Sequence, residues 1–97
     1  MEVRIQAIHF EIAERLTDFI NKKIDRLVRR YPTLTKADVN LRLVKPETAM
    51  NKEAVLKFAA PQTGEIVASK TADTFEEAFD VALEAVERRL EKCKNKE

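Results

Sequence analysis

The stretch TFEEAFDVALEAVERRLEKCKNK, residues 74–96, decides how the rest of the chain must be arranged. Phe75, Ala78, Phe79, Ala82, Leu83, Val86, Leu90 and Cys93 recur at spacings of three and four, which places them on one face of an α-helix. That face must be buried. Thr74 with Glu77 has capping-box spacing, in which the two side chains satisfy orphan amide donors reciprocally, so the helix start is well marked. The other face changes sign along its length. It opens with Glu76, Glu77, Asp80 and Glu84 and closes with Arg88, Arg89, Lys92, Lys94 and Lys96, with Glu87 and Glu91 interleaved. Such a helix packs on a sheet through one side and offers a cationic tip through the other.

The sheet is found upstream. Glu65 to Lys70 reads as a strand, and Pro61-Gln62-Thr63-Gly64 before it as a hairpin turn whose glycine supplies a positive φ. Ala54, Leu56 and Phe58 alternate with Val55, Lys57 and Ala59 in a strand over 54–60, and Glu47 to Lys52 is polar and reads as a mobile loop. Val39, Leu41 and Leu43 alternate with Asp38, Asn40 and Arg42 in a strand closed by Pro46. Val3, Ile5 and Ala7 alternate with Arg4 and Gln6 in a first strand. Between the first and second strands the period changes. Leu16, Phe19, Ile20, Ile24, Leu27 and Tyr31 mark the buried face of a helix that ends before Pro32, with Ala13 standing where a capping side chain is expected.

The expected fold is α+β, a β-α-β-β-β-α two-layer sandwich in which two helices cover one face of a four-stranded sheet. Strand, helix, strand implies a parallel pair with a right-handed crossover, and the next two short connections imply antiparallel neighbours. Arg4, Gln6, Asn40, Arg42 and Lys57 then face away from the helices. The first helix repeats the charge gradient of the last, with Glu11, Glu14 and Asp18 early and Lys22, Lys23, Arg26, Arg29 and Arg30 late. Helix macrodipoles favour that order. They do not require five cations in nine residues against the single acid Asp25. Parallel packing of the two helices is expected to join their basic ends as one patch.

Ninety-seven residues, 44% hydrophobic and 36% charged with one glycine and three prolines, suit a single loop-poor domain over 1–97. A net charge of +1 leaves the choice of partner to clustering rather than to the sum. One cysteine excludes an internal disulfide framework and fits a reducing compartment. No apolar run approaches the roughly 20 residues of a membrane span, and Met1-Glu2-Val3-Arg4-Ile5 lacks the apolar core of a signal peptide. A cytoplasmic protein with no membrane partner is expected.

Four stretches together resemble a known family. His9-Phe10-Glu11-Ile12 precedes the first helix, Lys23-x-x-Arg26-Leu27 lies late in it, Glu65-Ile66-Val67-Ala68-Ser69 forms the last strand, and Arg88-x-Leu90-x-Lys92-x-Lys94-x-Lys96 closes the chain. Their order and spacing resemble the hibernation-promoting factor and ribosome-associated inhibitor A family, also known as the sigma-54 modulation proteins. The resemblance covers essentially the whole chain and is to the short form, which lacks the separate C-terminal domain of the long form; a truncated long form would look the same. It implies a single domain on the small (30S) ribosomal subunit, in the channel where tRNA and mRNA bind. It further implies inhibition of translation by occupancy and storage of inactive ribosomes in stationary phase or stress. No cofactor, no small-molecule substrate and a monomer when free are expected.

In that family basic residues of both helices face 16S rRNA. By position this carries over to Lys23, Arg26, Arg88, Lys92, Lys94 and Lys96, while Lys22, Arg29, Arg30 and Arg89 join them from charge clustering. The chain departs from the family's pattern in three places. Thr74-Phe75-Glu76 stands where Asp-Met-Tyr often opens the last helix, Ala85 where a lysine is frequent, and Ala13 where a threonine cap is usual. Ala85 thereby removes one potential phosphate contact.

Other chemistries fit less well. A double-stranded RNA-binding domain would begin its last helix with lysines aimed at phosphate, whereas Asp73, Glu76 and Glu77 repel it. No aromatic-rich strand supports base stacking. His9 is the only histidine and reads as a loop or packing residue, since no second histidine or cysteine pair completes a metal set. Cys93 reads as a small core residue. One glycine permits no Gly-rich phosphate loop, and no Ser-His-Asp order is apparent, so an enzyme is not expected. Two classes remain: a ribosome-binding inhibitor held by the basic helix ends, or a protein-interaction module that docks a partner through the open sheet face or an edge.

Overall fold

The computed structural model describes residues 2–8, 11–44, 51–61 and 64–94, without the side chains of Cys93 and Lys94. The elements follow the expected order: β1 (Glu2–Ile8), α1 (Glu14–Arg30), β2 (Lys36–Leu43), β3 (Lys52–Ala60), β4 (Gly64–Ala72) and α2 (Phe75–Lys94). The sheet runs β1-β2-β3-β4. β1 and β2 are parallel, with Ile5 beside Val39, and the other two pairs are antiparallel.

Side chains alternate across a strand, so this register sorts every residue onto one face. The inner rows are Val3, Ala37, Phe58, Ile66 and Ile5, Val39, Leu56, Ala68. Both helices cover this side. Leu16, Ile20, Ile24 and Leu27 of α1 and Ala78, Phe79, Ala82, Leu83, Val86 and Leu90 of α2 join the strand residues in one buried cluster. Phe19 and Phe79 meet edge to face, with ring centroids 6.2 Å apart at 70°, and so tie the helices to each other. Val3 lies on the inner side yet stays 41% exposed, because β1 is the sheet's edge.

The helix ends differ as their sequences do. At the start of α2 the Glu77 amide donates to Thr74 Oγ1 at 3.1 Å, and the Ala78 amide donates to the Thr74 carbonyl at 3.0 Å. The return half of the capping box, in which the Thr74 amide would donate to the Glu77 carboxylate, is not made among the described residues; Glu77 lines the groove against α1 instead. Ala13 occupies the N-cap of α1 in extended backbone (φ −72°, ψ 144°) and offers no side-chain cap. α1 ends as expected, where the Tyr31 amide donates to the Leu27 carbonyl at 2.9 Å ahead of Pro32.

The strands are longer than their apolar alternation. β3 begins at Lys52 and β4 continues to Ala72 because the two pair to that point, Lys52 beside Ala72. Lys52 therefore belongs to a strand and not to the polar loop. Asn51 is also anchored, its carbonyl accepting the Val44 amide at 2.8 Å. The remainder of that segment, Glu47 to Met50, and Pro46 lie outside the described residues, as do His9, Gln62, Thr63 and Lys96. β2 starts at Lys36, and Leu43 at its far end is 41% exposed, beyond the cover of the helices. Gly64 has φ +70°, the left-handed conformation the hairpin turn was expected to need.

Candidate nucleic-acid interface

α1 and α2 lie side by side and point the same way. Lys23 Nζ is 3.4 Å from Asp80 Oδ1, and seven residues on along both helices Arg30 Nη1 is 3.2 Å from Glu87 Oε2. Two contacts with the same offset establish a parallel pair in constant register. The basic half of α1 thus runs beside the acidic half of α2. α2 continues past Glu87 to Lys94, a further rise of about 10 Å, beyond the level at which α1 ends.

This arrangement divides the ten cations singled out by sequence. Lys23 and Arg30 are engaged with carboxylates across the seam, and each also lies against an aromatic ring, Lys23 5.5 Å from the Phe19 centroid and Arg30 5.6 Å from that of Tyr31. Arg29 pairs with Asp25 one turn back, at 3.2 Å. Lys22, Arg26, Arg88, Arg89 and Lys92 are exposed and have no carboxylate within ion-pair distance among the described residues. Lys94 lies in α2 with its side chain outside the description.

The expected single patch is therefore two regions separated by a seam. The groove between the helices is lined by Lys23, Arg26 and Arg30 on one wall and Glu77, Asp80, Glu84 and Glu87 on the other, above a floor of Leu27 and Leu83. Three cations against four carboxylates give it a charge of −1. Beyond Glu87 the balance reverses: Arg88, Arg89, Lys92 and Lys94 against Glu91 give +3. On the solvent side of α1, Lys22, Arg26 and Arg29 recur at i, i+4 and i+7 as a shorter basic strip, of which Arg26 also borders the groove and Arg29 is paired with Asp25. The seam carboxylates have a matching signal in the sequence. Asp80, Glu84 and Glu87 are spaced by four and three, and Lys23, Arg26 and Arg30 by three and four, which suits two facing helices once their register is known.

The open sheet face is electrically balanced. The register places Glu2, Asp38, Glu53 and Glu65 on it with Arg4, Lys36, Arg42 and Lys57, four charges of each sign. Arg42 Nε donates to Glu53, whose other oxygen accepts from Ser69 Oγ, and Lys36 lies 3.4 Å from Asp38. Such a face has little net pull on a polyanion. Among the described residues no cluster of His, Cys, Asp and Glu is placed to hold a metal ion, and no helix is long and apolar enough to cross a membrane.

Fold and surface together define a class: a small two-layer α+β protein whose largest excess of positive charge among the described helix residues lies at the end of its last helix. The chain belongs to the sigma 54 modulation protein / S30EA ribosomal protein family, whose sequence model matches residues 3–97. It is 27% identical over 97 residues to the ribosome hibernation promoting factor of Pseudomonas putida, covering all of this chain and 90% of that protein. The protein of the same name from Azotobacter vinelandii is also 27% identical over 97 residues, with 86% of it covered. Among solved structures, a ribosomal subunit interface protein from Coxiella burnetii superposes with a TM-score of 0.85 at 18% identity, over 99% of this chain and 100% of that one. The N-terminal domain of Protein Y from Thermus thermophilus superposes with a TM-score of 0.77 at 22% identity, over 95% and 98%. These two likenesses concern the fold.

Proposed function

We propose that this protein is a ribosome hibernation factor: a single domain that binds the 30S subunit on 16S rRNA, in the channel used by tRNA and mRNA, and inhibits translation under stress or in stationary phase. The observation that carries the reading is the family match across residues 3–97, together with relatives named as ribosome hibernation promoting factors that match the whole of this chain. The charge distribution supports it independently. A helix end of net charge +3, projecting beyond its neighbour, is shaped to enter a fold of RNA backbone.

The chemistry needed is modest. Arg88, Arg89, Lys92 and Lys94, with Lys22 and Arg26, neutralise phosphates and release condensed counterions, an attraction that reads backbone position and not base sequence. Selectivity for the ribosome then comes from fit to a folded rRNA surface. No reaction is required. A domain lodged where tRNA and mRNA bind blocks initiation by occupancy, and the reading places the protein in the cytoplasm with the ribosome.

The test is co-sedimentation of the purified protein with isolated 30S and 50S subunits at several salt concentrations. Pelleting with 30S at low salt, lost steeply as salt rises, is expected. Absence from the 30S pellet at low salt contradicts the proposal and favours a docking module that works through the sheet.

A further inference from the structure

We infer that Asp80 and Glu87 are built-in competitors for RNA phosphate at Lys23 and Arg30, so that the interhelical seam restrains affinity and RNA contact falls on the free cations around it. The inference rests on the RNA-binding reading above and goes beyond it, because it assigns opposite roles to cations that sequence alone treats alike.

The geometry supports it in three ways. Lys23 and Arg30 each meet a carboxylate of the other helix, at 3.4 and 3.2 Å, and each lies against a ring, Phe19 within α1 and Tyr31 just past its end. Their positions are thus held by two partners. A phosphate entering the groove must also approach Glu77 and Glu84, and the groove's charge of −1 opposes it. The pairs are nevertheless solvated: the side chains are 34% and 48% exposed in one pair, 57% and 37% in the other. Exposed pairs are weak, so the carboxylates compete with phosphate without excluding it permanently.

Neutralising the competitors should therefore strengthen binding. D80N/E87Q is compared with E2Q/E65Q, which removes the same two negative charges from the opposite face of the sheet. For 30S subunits, D80N/E87Q is expected to bind roughly 2- to 30-fold tighter, the worth of two exposed ion pairs. The slope of log affinity against log salt should steepen by about 1 to 2 units as two cations become available to phosphate. The sheet-face variant should change both much less, and adding K23Q/R30Q to D80N/E87Q should abolish the gain. K23Q/R30Q alone should weaken binding only slightly, a readout that does not depend on any gain of function.

Three results would overturn the inference: no tightening in D80N/E87Q, equal tightening in E2Q/E65Q, or a gain that survives K23Q/R30Q. Should the wild-type protein fail to bind 30S subunits, the functional reading falls separately. Elution from immobilised heparin then still decides the matter for a polyanion. Later elution of D80N/E87Q than of E2Q/E65Q supports competition at the seam, and equal elution refutes it.

Discussion

Lys23 Nζ lies 3.4 Å from Asp80 Oδ1 across the groove between the two helices, with Phe19 beneath the ammonium group. Asp80 belongs to the acidic half of α2, whose place in the molecule is settled by this contact and its repeat at Arg30 and Glu87. The acids face the cations of α1. In consequence the larger excess of positive charge among the described residues of the two helices falls toward the end of α2, past the point at which α1 stops.

The seam pairs should contribute little to folding. Both are partly exposed, and such pairs are typically worth about 0.2–1 kcal/mol each. D80N and E87Q should each lower the unfolding free energy by no more than that in urea denaturation, with unchanged m-value. A loss of several kcal/mol would mean that the seam is structural.

Helix capping gives a paired prediction. Thr74→Ala removes the acceptor of the Glu77 amide and should cost about 0.5–2 kcal/mol. Ala13→Ser supplies a side chain where α1 has none, in backbone already extended, and should stabilise by an amount of the same order. Denaturant midpoints of the two variants should move in opposite directions.

The aromatic contact between the helices should matter far more. Phe79 is fully buried and meets Phe19 edge to face. Phe79→Ala should destabilise by about 3–5 kcal/mol through lost burial and the cavity left behind. Phe19 is only partly buried, so Phe19→Ala should cost less. Equilibrium unfolding of both variants checks the order.

What the sequence disclosed follows from how each feature is encoded. The alternation of Val39 and Leu41 and the three-and-four spacing from Phe75 to Leu90 are local signals, and elements, order and helix-covered face could all be read from them. The ends of β3 and β4 could not. Lys52 and Ala72 extend the ladder through backbone pairing, which leaves no apolar mark. The helix register was hidden for a different reason. Parallel packing was legible from charge, but the offset that sets Lys23 against Asp80 depends on tertiary packing, including that of Phe19 on Phe79, between segments far apart in the chain. An offset of two more turns would have joined the basic ends as the sequence reading expected. The capping box was legible in its Thr74 half alone, because Glu77 faces the groove against α1.

The surface proposed to meet 16S rRNA is the projecting end of α2. Its most direct test is co-sedimentation of R88E/R89E/K92E with 30S subunits at low salt, beside a sheet-face variant such as N40D/K57E. All three arginine and lysine side chains are exposed, so the fold should tolerate the change, which circular dichroism would verify. The triple variant should disappear from the 30S pellet while the sheet-face variant remains. Wild-type pelleting of a folded R88E/R89E/K92E protein would contradict it.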